Sequence, residues 1–135
     1  MKLTKEKAIE LHRKMWNWIA DETKKQKRFV TKYEAFQHFG WDEESVTGSE
    51  WLCEYAEQNG SEKAIGRDCF KCPLKIIGTE KSIWQSCLSS PASSYKQWRR
   101  IVVEASYFEK PITEEDIMLA AKYAREFANA PIKED

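Results

Sequence analysis

Apolar residues recur at helical spacing in the first forty positions of the chain. One stripe predicts a helix over residues 4–25, with Thr4 as its N-cap. A second, shorter set predicts a helix over residues 32–39 that ends at Gly40. The two sets are Ala8, Leu11, Met15, Trp18 and Ile19, followed by Phe29, Tyr33, Phe36 and Phe39.

The helical pattern returns after Pro91. Apolar positions in the next segment predict a helix that Ser93 or Ser94 caps, and Thr113 opens a last helix with an acidic first turn. The last helix presents a face of small residues suited to close packing. The positions that carry the two patterns are Tyr95, Trp98, Ile101, Val102 and Ala105, then Ile117, Ala120, Ala121, Ala124 and Phe127.

The middle of the chain lacks this periodicity. Residues 42–50 read as an acidic connector, and residues 51–90 contain many turn-forming glycines, prolines and serines. Two short strands over 75–77 and 82–85 would give this segment a small β-hairpin. A segment with so many breaks packs poorly by itself, so a metal ion would contribute most here.

All four cysteines of the chain fall in this middle segment. Cys69 and Cys72 form a C-x2-C pair, with Cys53 fifteen residues before it and Cys87 fourteen residues after it. Four thiolates are a preferred ligand set for structural zinc, so we expect one Zn²⁺ bound by all four. Lys71 would offset part of the thiolate charge. Unliganded thiols, one or two disulfides, and an iron–sulfur cluster remain alternatives.

These patterns predict a mainly α fold of about four helices around an irregular central segment pinned by zinc. A length of 135 residues favours a single domain over 1–135. Within it we distinguish a helical N-terminal part (1–40), the four-cysteine metal segment (51–90) and the C-terminal helices (93–130). The aromatic content of 13%, with six tryptophans, argues against disorder.

Charge and hydropathy narrow the choice of partners. The net charge is zero, which gives no global signature of nucleic-acid binding. The charges are nevertheless segregated, since residues 1–40 carry ten bases and five acids and residues 41–60 carry six acids and no base. No apolar run suggests a leader or a membrane span, so we expect a cytoplasmic protein without a membrane partner.

No catalytic constellation stands out from the sequence. The only histidines are His12 and His38, and we interpret His12 as a surface or packing residue. No phosphate-binding loop, zinc-protease motif or nucleophile elbow is present. We therefore expect a protein that is not an enzyme, with no catalytic residues and no small-molecule substrate. An enzyme is kept as a third alternative, and it would need a pocket with a perturbed titratable group.

Basic and aromatic side chains mark candidate contacts with a partner. Lys96, Arg99 and Arg100 lie beside the apolar stripe of the third predicted helix, and Lys71 lies inside the C-x2-C pair. Trp16 and Trp18 point in different directions on the first helix, so one of them could contact another element of the fold or a partner, and we take Trp16 as a candidate for a partner contact. These residues could meet either a protein or nucleic-acid phosphates.

Two stretches resemble small, uncharacterised phage and prophage proteins of Gram-positive bacteria that have a cysteine-rich zinc site. The first is Leu11-His-Arg-Lys-Met-Trp-Asn-Trp-Ile-Ala20. The second comprises Cys53-Glu-Tyr-Ala56, Cys69-x-x-Cys72-Pro-Leu74, Cys87 and Tyr95-x-x-Trp98. Similar proteins read C-x2-C-E-Y-A at the first site, where this chain has Glu50 in place of the outer cysteine. The resemblance implies a phage accessory role without a specific reaction.

Two functional hypotheses follow. The first is a non-enzymatic phage-type accessory protein with a structural zinc site, which binds a host or phage protein and could inhibit a bacterial defence or nuclease system. If the protein is phage-encoded, it would act in the host cytoplasm. The alternative is a zinc-containing module that binds nucleic acid, for which affinity would fall steeply with salt.

Overall fold

The computed structural model of the chain describes residues 2–46, 50–59 and 94–132. Five α-helices and one 3-10 turn make up 76% of these residues, and no β-strand occurs among them. The mainly α fold is therefore confirmed, with one helix more than the four expected. The helices are α1 (Lys5–Gln26), α2 (Lys32–Phe39), α3 (Trp51–Asn59), α4 (Ser94–Tyr107) and α5 (Glu114–Ala128), and a 3-10 turn spans Glu43–Ser45.

The helix ends follow local hydrogen-bonding rules. Thr4 caps α1 by accepting a hydrogen bond from the Lys7 amide, as the sequence predicts. Thr31 and Thr113 each form a capping box with the residue three positions later, which starts α2 and α5. Gly40 ends α2 in the left-handed region at φ 71°, where a glycine carries no Cβ penalty.

Helix α1 is the central element of the fold. It packs against α2, α3 and α5, and α5 also packs against α4. The stripe predicted for α1 is confirmed in large part, since Ala8, Leu11, Met15 and Ile19 are buried while Trp18 is half-buried.

Trp16 corrects one prediction. It was a candidate for contact with a partner, yet its side chain is fully buried. Its ring meets those of Tyr95, Trp98 and Phe127 edge-on, with centroids 5.7, 4.8 and 5.0 Å away. Edge-to-face packing of this kind stabilises a core beyond the area it buries. Trp16 therefore joins α1 to α4 and α5 inside the molecule.

Helix α3 was not predicted, because residues 51–90 were expected to be irregular. The helix is only nine residues long, and it buries four apolar residues at helical spacing: Trp51, Leu52, Cys53 and Ala56. The acidic run before it and the turn-forming residues after it concealed this short pattern. The rest of the metal segment, including the strands proposed at 75–77 and 82–85, lies outside the described residues.

The C-terminal helices differ in how deeply they are buried. In α5 the small-residue face is confirmed, since Ala120, Ala121, Ala124 and Phe127 are buried. In α4 only Tyr95 and Trp98 are buried, and the remaining apolar positions are half-buried or exposed. None of the helices in the described part of the chain is long and apolar enough to cross a membrane.

Candidate functional site

The structure describes one of the four cysteines predicted to bind zinc. Cys53 is buried on α3, in the third position of the helix. Cys69, Cys72, Cys87 and Lys71 lie outside the described residues, so the proposed four-thiolate site is not visible as a whole. Among the residues the structure does describe, no group of three or more His, Cys, Asp or Glu side chains could hold a metal ion.

Glu50, three residues before Cys53, belongs to a buried network of polar side chains. The His12 Nδ1 and Glu50 Oε1 atoms are 2.9 Å apart, and the Trp16 indole Nε1 donates to Glu50 Oε2 at 2.6 Å. The other imidazole nitrogen, His12 Nε2, lies 2.8 Å from the backbone oxygen of Phe127. His12 and Glu50 are only 1% and 4% exposed. The network thus ties α1 to the start of α3 and the end of α5.

The hydrogen-bond partners of His12 indicate which of its ring nitrogens carry a hydrogen. The Phe127 carbonyl oxygen can only accept, so His12 Nε2 carries a hydrogen and donates it. His12 Nδ1 then shares a second proton with the Glu50 carboxylate, which makes the two side chains a buried ion pair. Of the two roles that the sequence suggested for His12, the surface role is wrong and the packing role is confirmed, since its ring is buried against Phe127. The ion pair with Glu50 is an additional role.

The same network sets the ionisation of Glu50. Burial by itself would raise the pKa of its carboxyl, but the charge and hydrogen bond of His12 and the hydrogen bond from Trp16 outweigh burial. The charge of Lys32 acts in the same direction, and the pKa of Glu50 lies below its ordinary value of 4.5. Glu50 is therefore a carboxylate at neutral pH, in a site closed to solvent.

Glu50 also begins α3. Its backbone oxygen accepts from the Glu54 amide at 3.0 Å, and its carboxylate accepts from the Leu52 amide at 3.3 Å. A negative charge at a helix N-terminus interacts favourably with the helix dipole. Both carboxylate oxygens are thus occupied by protein donors, and in this arrangement Glu50 fixes the helix that carries Cys53.

The basic side chains predicted on α4 point in large part to solvent. Arg99 and Arg100 are exposed and Lys96 is half-buried. Arg100 and Glu104 are four positions apart on α4, but in the described part of the chain they form no ion pair. The two guanidinium groups are accordingly open to an anionic partner.

A set of rings on α1 and α2 was missed as a unit by the sequence analysis. His38 stacks on Trp18, with centroids 4.6 Å apart and planes at 20°, and Phe39 stacks on Trp41 at 4.5 Å. Trp18 and Phe39 meet edge-on at 5.9 Å, and the Lys14 ammonium lies 5.1 Å from the Phe39 ring centroid. We call these four rings, Trp18, His38, Phe39 and Trp41, the aromatic surface.

The aromatic surface is neither core nor fully solvated. His38 is exposed, and the other three rings are half-buried. Trp41 continues inward, with its ring 5.2 Å from Trp51 and 5.4 Å from Phe36. The surface therefore rests on the hydrophobic core and is held in place by it. A sequence signal was available, since Trp18 is separated from the buried Trp16 by two positions on a helix.

Comparisons with known proteins give no independent assignment. No protein-family model, no curated protein and no solved structure matches the chain.

Proposed function

We propose that this is a non-enzymatic accessory protein that binds another protein through the aromatic surface. The observation that carries the proposal is the stacked, partly exposed arrangement of Trp18, His38, Phe39 and Trp41. Tryptophan and other aromatic residues are enriched at protein interfaces and at their energetic centres. Rings that are already ordered also lose little conformational freedom on binding.

The charges around the aromatic surface favour a protein over a nucleic acid. Lys14 is exposed on α1 with its ammonium near the Phe39 ring, while Asp42 and Glu44 are exposed shortly after Trp41. Phosphates would be attracted by the lysine and repelled by the two carboxylates. A polar rim of both signs around an aromatic centre is the usual anatomy of a protein–protein interface.

The proposed function includes a structural zinc ion bound by Cys53, Cys69, Cys72 and Cys87. The number and spacing of the thiols support this ligand set. Cys53 also sits on a helix whose first residues are fixed by Glu50, which gives the site one rigid ligand. A zinc ion would contribute folding free energy to the segment that follows α3.

The resemblance to phage and prophage proteins suggests the kind of partner. A phage-type accessory protein would bind a host or phage protein, and inhibition of a bacterial defence or nuclease system is one concrete form of this role. Such an inhibitor needs a preformed surface and no catalytic group of its own. The aromatic surface supplies one.

The proposal is tested by capture and then by measurement with purified components. The tagged full chain is used to capture a stoichiometric partner from bacterial host cells, and the purified partner is then titrated against variants. We expect Trp18→Ala and His38→Ala to weaken binding by about tenfold or more each, since central aromatic residues dominate interface energies.

Tyr33→Ala is the matched control. Tyr33 lies on the same helix as His38 and is 54% exposed, but it is not one of the four stacked rings. Its substitution should leave affinity unchanged. A partner that binds all three variants with wild-type affinity would show that the aromatic surface is not the binding site.

A second candidate function is nucleic-acid binding through α4. The exposed Arg99 and Arg100, with Lys96 beside them, support it. A gel-shift series with single- and double-stranded probes tests it, and binding should weaken steeply between about 0.05 and 0.2 M salt. Absence of a complex at the lowest salt would eliminate this candidate.

A further inference from the structure

A series of ring contacts joins the aromatic surface to the first residue of α3. Phe39 stacks on Trp41, and the Trp41 ring lies edge-on to Trp51 with centroids 5.2 Å apart. Trp51 also stacks on Phe36, with centroids 5.8 Å apart and planes at 11°. Trp51 is buried, whereas Trp41 is half-buried. The inner end of the aromatic surface therefore rests on a tryptophan of α3.

Trp51 has no polar anchor among the described residues. A buried tryptophan usually donates its indole hydrogen to an acceptor, but Trp51 Nε1 is buried without one in this part of the chain. Its ring is therefore positioned by the rings packed around it and by the backbone that carries it. The place of Trp51 under the aromatic surface thus depends on where α3 begins.

Glu50, the residue before Trp51, fixes the start of α3 against α1. Its carboxylate lies 2.9 Å from His12 Nδ1 and 2.6 Å from Trp16 Nε1, and both of these residues are on α1. The same carboxylate accepts from the Leu52 amide at 3.3 Å. The backbone on both sides of Trp51 is therefore tied to one buried group. Displacement of that group would break hydrogen bonds that water cannot replace.

We propose that Glu50 is a positioning residue for the aromatic surface, on which it acts through Trp51 and Trp41. The inference rests on the proposed function, because it concerns the surface that would bind the partner. Hydrogen bonds to a carboxylate have a fixed length and direction, whereas apolar burial is non-directional. The network thus specifies one position of α3 against α1, and the rings above Trp51 share that position. Rings held in one arrangement lose little freedom when a partner binds.

Two variants separate the position of the rings from the stability of the fold. Glu50→Gln keeps the length of the side chain and an oxygen that can accept from Trp16 Nε1, so the rings should keep their arrangement although the charge is lost. His12→Leu/Glu50→Leu replaces the polar contacts of the pair by apolar ones. The start of α3 then lacks its directional contacts with α1, and the rings should be displaced.

NMR of the purified full chain, with labelled histidine and tryptophan, follows the rings without any partner. His38 lies on the face of Trp18 at 4.6 Å, so the indole ring current should shift the His38 ring protons upfield in the wild type. The chain has two histidines, so the one left in the double variant is His38. All spectra are compared at one pH above the range in which an ordinary histidine titrates.

We expect Glu50→Gln to keep the upfield shift and the double variant to lose most of it. Trp51→Leu should reproduce the loss, because it removes the ring between Glu50 and Trp41. Ala124→Gly is the stability control, since it weakens α5, which holds none of these rings, at a buried position. It should keep the shift, and it gives the same comparison if Glu50→Gln fails to fold.

Titration of the captured partner then relates ring position to binding. The double variant should bind at least about tenfold more weakly than the wild type, as expected for Trp18→Ala. A folded double variant or Trp51→Leu protein that keeps the upfield shift would overturn the positioning role, and so would loss of the shift in folded Ala124→Gly. A double variant that loses the shift and still binds with wild-type affinity would support the positioning role and contradict the proposed binding surface.

Discussion

His12 and Glu50, thirty-eight positions apart, form an ion pair across 2.9 Å at the meeting point of three helices. Their side chains are 1% and 5% exposed. Such a pair is costly to desolvate and becomes favourable only when the remaining donors and acceptors are satisfied. Here Trp16, the Leu52 amide and the Phe127 carbonyl provide those partners. The pair therefore depends on its whole network.

Removal of one member of the pair should be strongly destabilising. Glu50→Gln leaves a buried imidazole without its counter-charge, and His12→Leu leaves a buried carboxylate without its cation. We expect each to lower the free energy of unfolding by about 3–5 kcal/mol. Urea unfolding followed by tryptophan fluorescence measures the loss.

The double variant His12→Leu/Glu50→Leu removes both charged groups of the pair together. Since no charge is then left unpaired, the loss should be clearly smaller than the sum of the single losses. Strict additivity of the two single variants would contradict a coupled ion pair.

Stability should rise with pH through the acidic range because of Glu50. The pKa of Glu50 is lower in the folded protein than its ordinary value of 4.5. Between the two pKa values the unfolded chain binds more protons than the folded one, so a rise in pH favours folding. The contribution of Glu50 is complete above the unfolded pKa, and it is lost as pH falls through the folded pKa.

The Glu34 carboxylate also makes stability rise with pH, and its contribution must be distinguished from that of Glu50. A hydrogen bond from Arg28 lowers the pKa of Glu34, although burial opposes it. Glu34 is more exposed than Glu50, so its share should be smaller. Urea unfolding from pH 3 to pH 7 should show a weaker pH dependence in Glu50→Gln than in Glu34→Gln. The reverse order would contradict the assignment.

Two buried tryptophans offer a matched test of the network. Trp16 Nε1 donates to Glu50 Oε2, whereas Trp51 Nε1 is buried without an acceptor among the described residues. Phenylalanine removes similar volume at both positions, but only Trp16→Phe takes a donor from a buried carboxylate. We expect Trp16→Phe to cost about 1.5–3 kcal/mol more than Trp51→Phe in chemical denaturation. Equal costs would argue against a strong bond to Glu50.

The sequence predicts the long helices well because each carries its own local signals. The stripe of α1 and the Thr4 cap place its start within one residue, and α2 spans the predicted 32–39. Helix α3 was missed because it is short and much of its stability comes from packing on α1, as is common for short helices. Local pattern could not show that contact.

The polar network was beyond sequence reasoning for a different reason. Whether His12 meets solvent or a carboxylate depends on how α3 and α5 pack, which no local spacing specifies. The only clue is that His12 and Trp16 lie four positions apart, so both can reach one acceptor. The aromatic surface is similar, because the stack of His38 on Trp18 joins two helices.

Removal of zinc is the last expected perturbation. If Cys53, Cys69, Cys72 and Cys87 share one Zn²⁺, a chelator should lower thermal stability, because the binding free energy is lost from the folded state. Far-ultraviolet helicity should persist. Among the described residues, the hydrophobic cluster that joins α1, α2 and α5 contains no cysteine, and α3 is also anchored by Trp51 and Leu52. Because residues 51–59 form α3, we expect the effect of chelation beyond Asn59 and not from residue 51.

Single substitutions identify the ligands. Cys69→Ser and Cys72→Ser should each match the effect of chelation, and elemental analysis should show loss of the one bound zinc. Cys53→Ser should do the same and should leave α3 folded, because Glu50 still starts the helix.

A Cys87→Ser protein that keeps one zinc at unchanged affinity would require another fourth ligand. Glu50 would be a poor choice, because both its oxygens already accept hydrogen bonds in the core, which leaves His38 at the exposed end of α2. A purified protein without metal, in which all four thiols react freely, would refute the zinc site altogether.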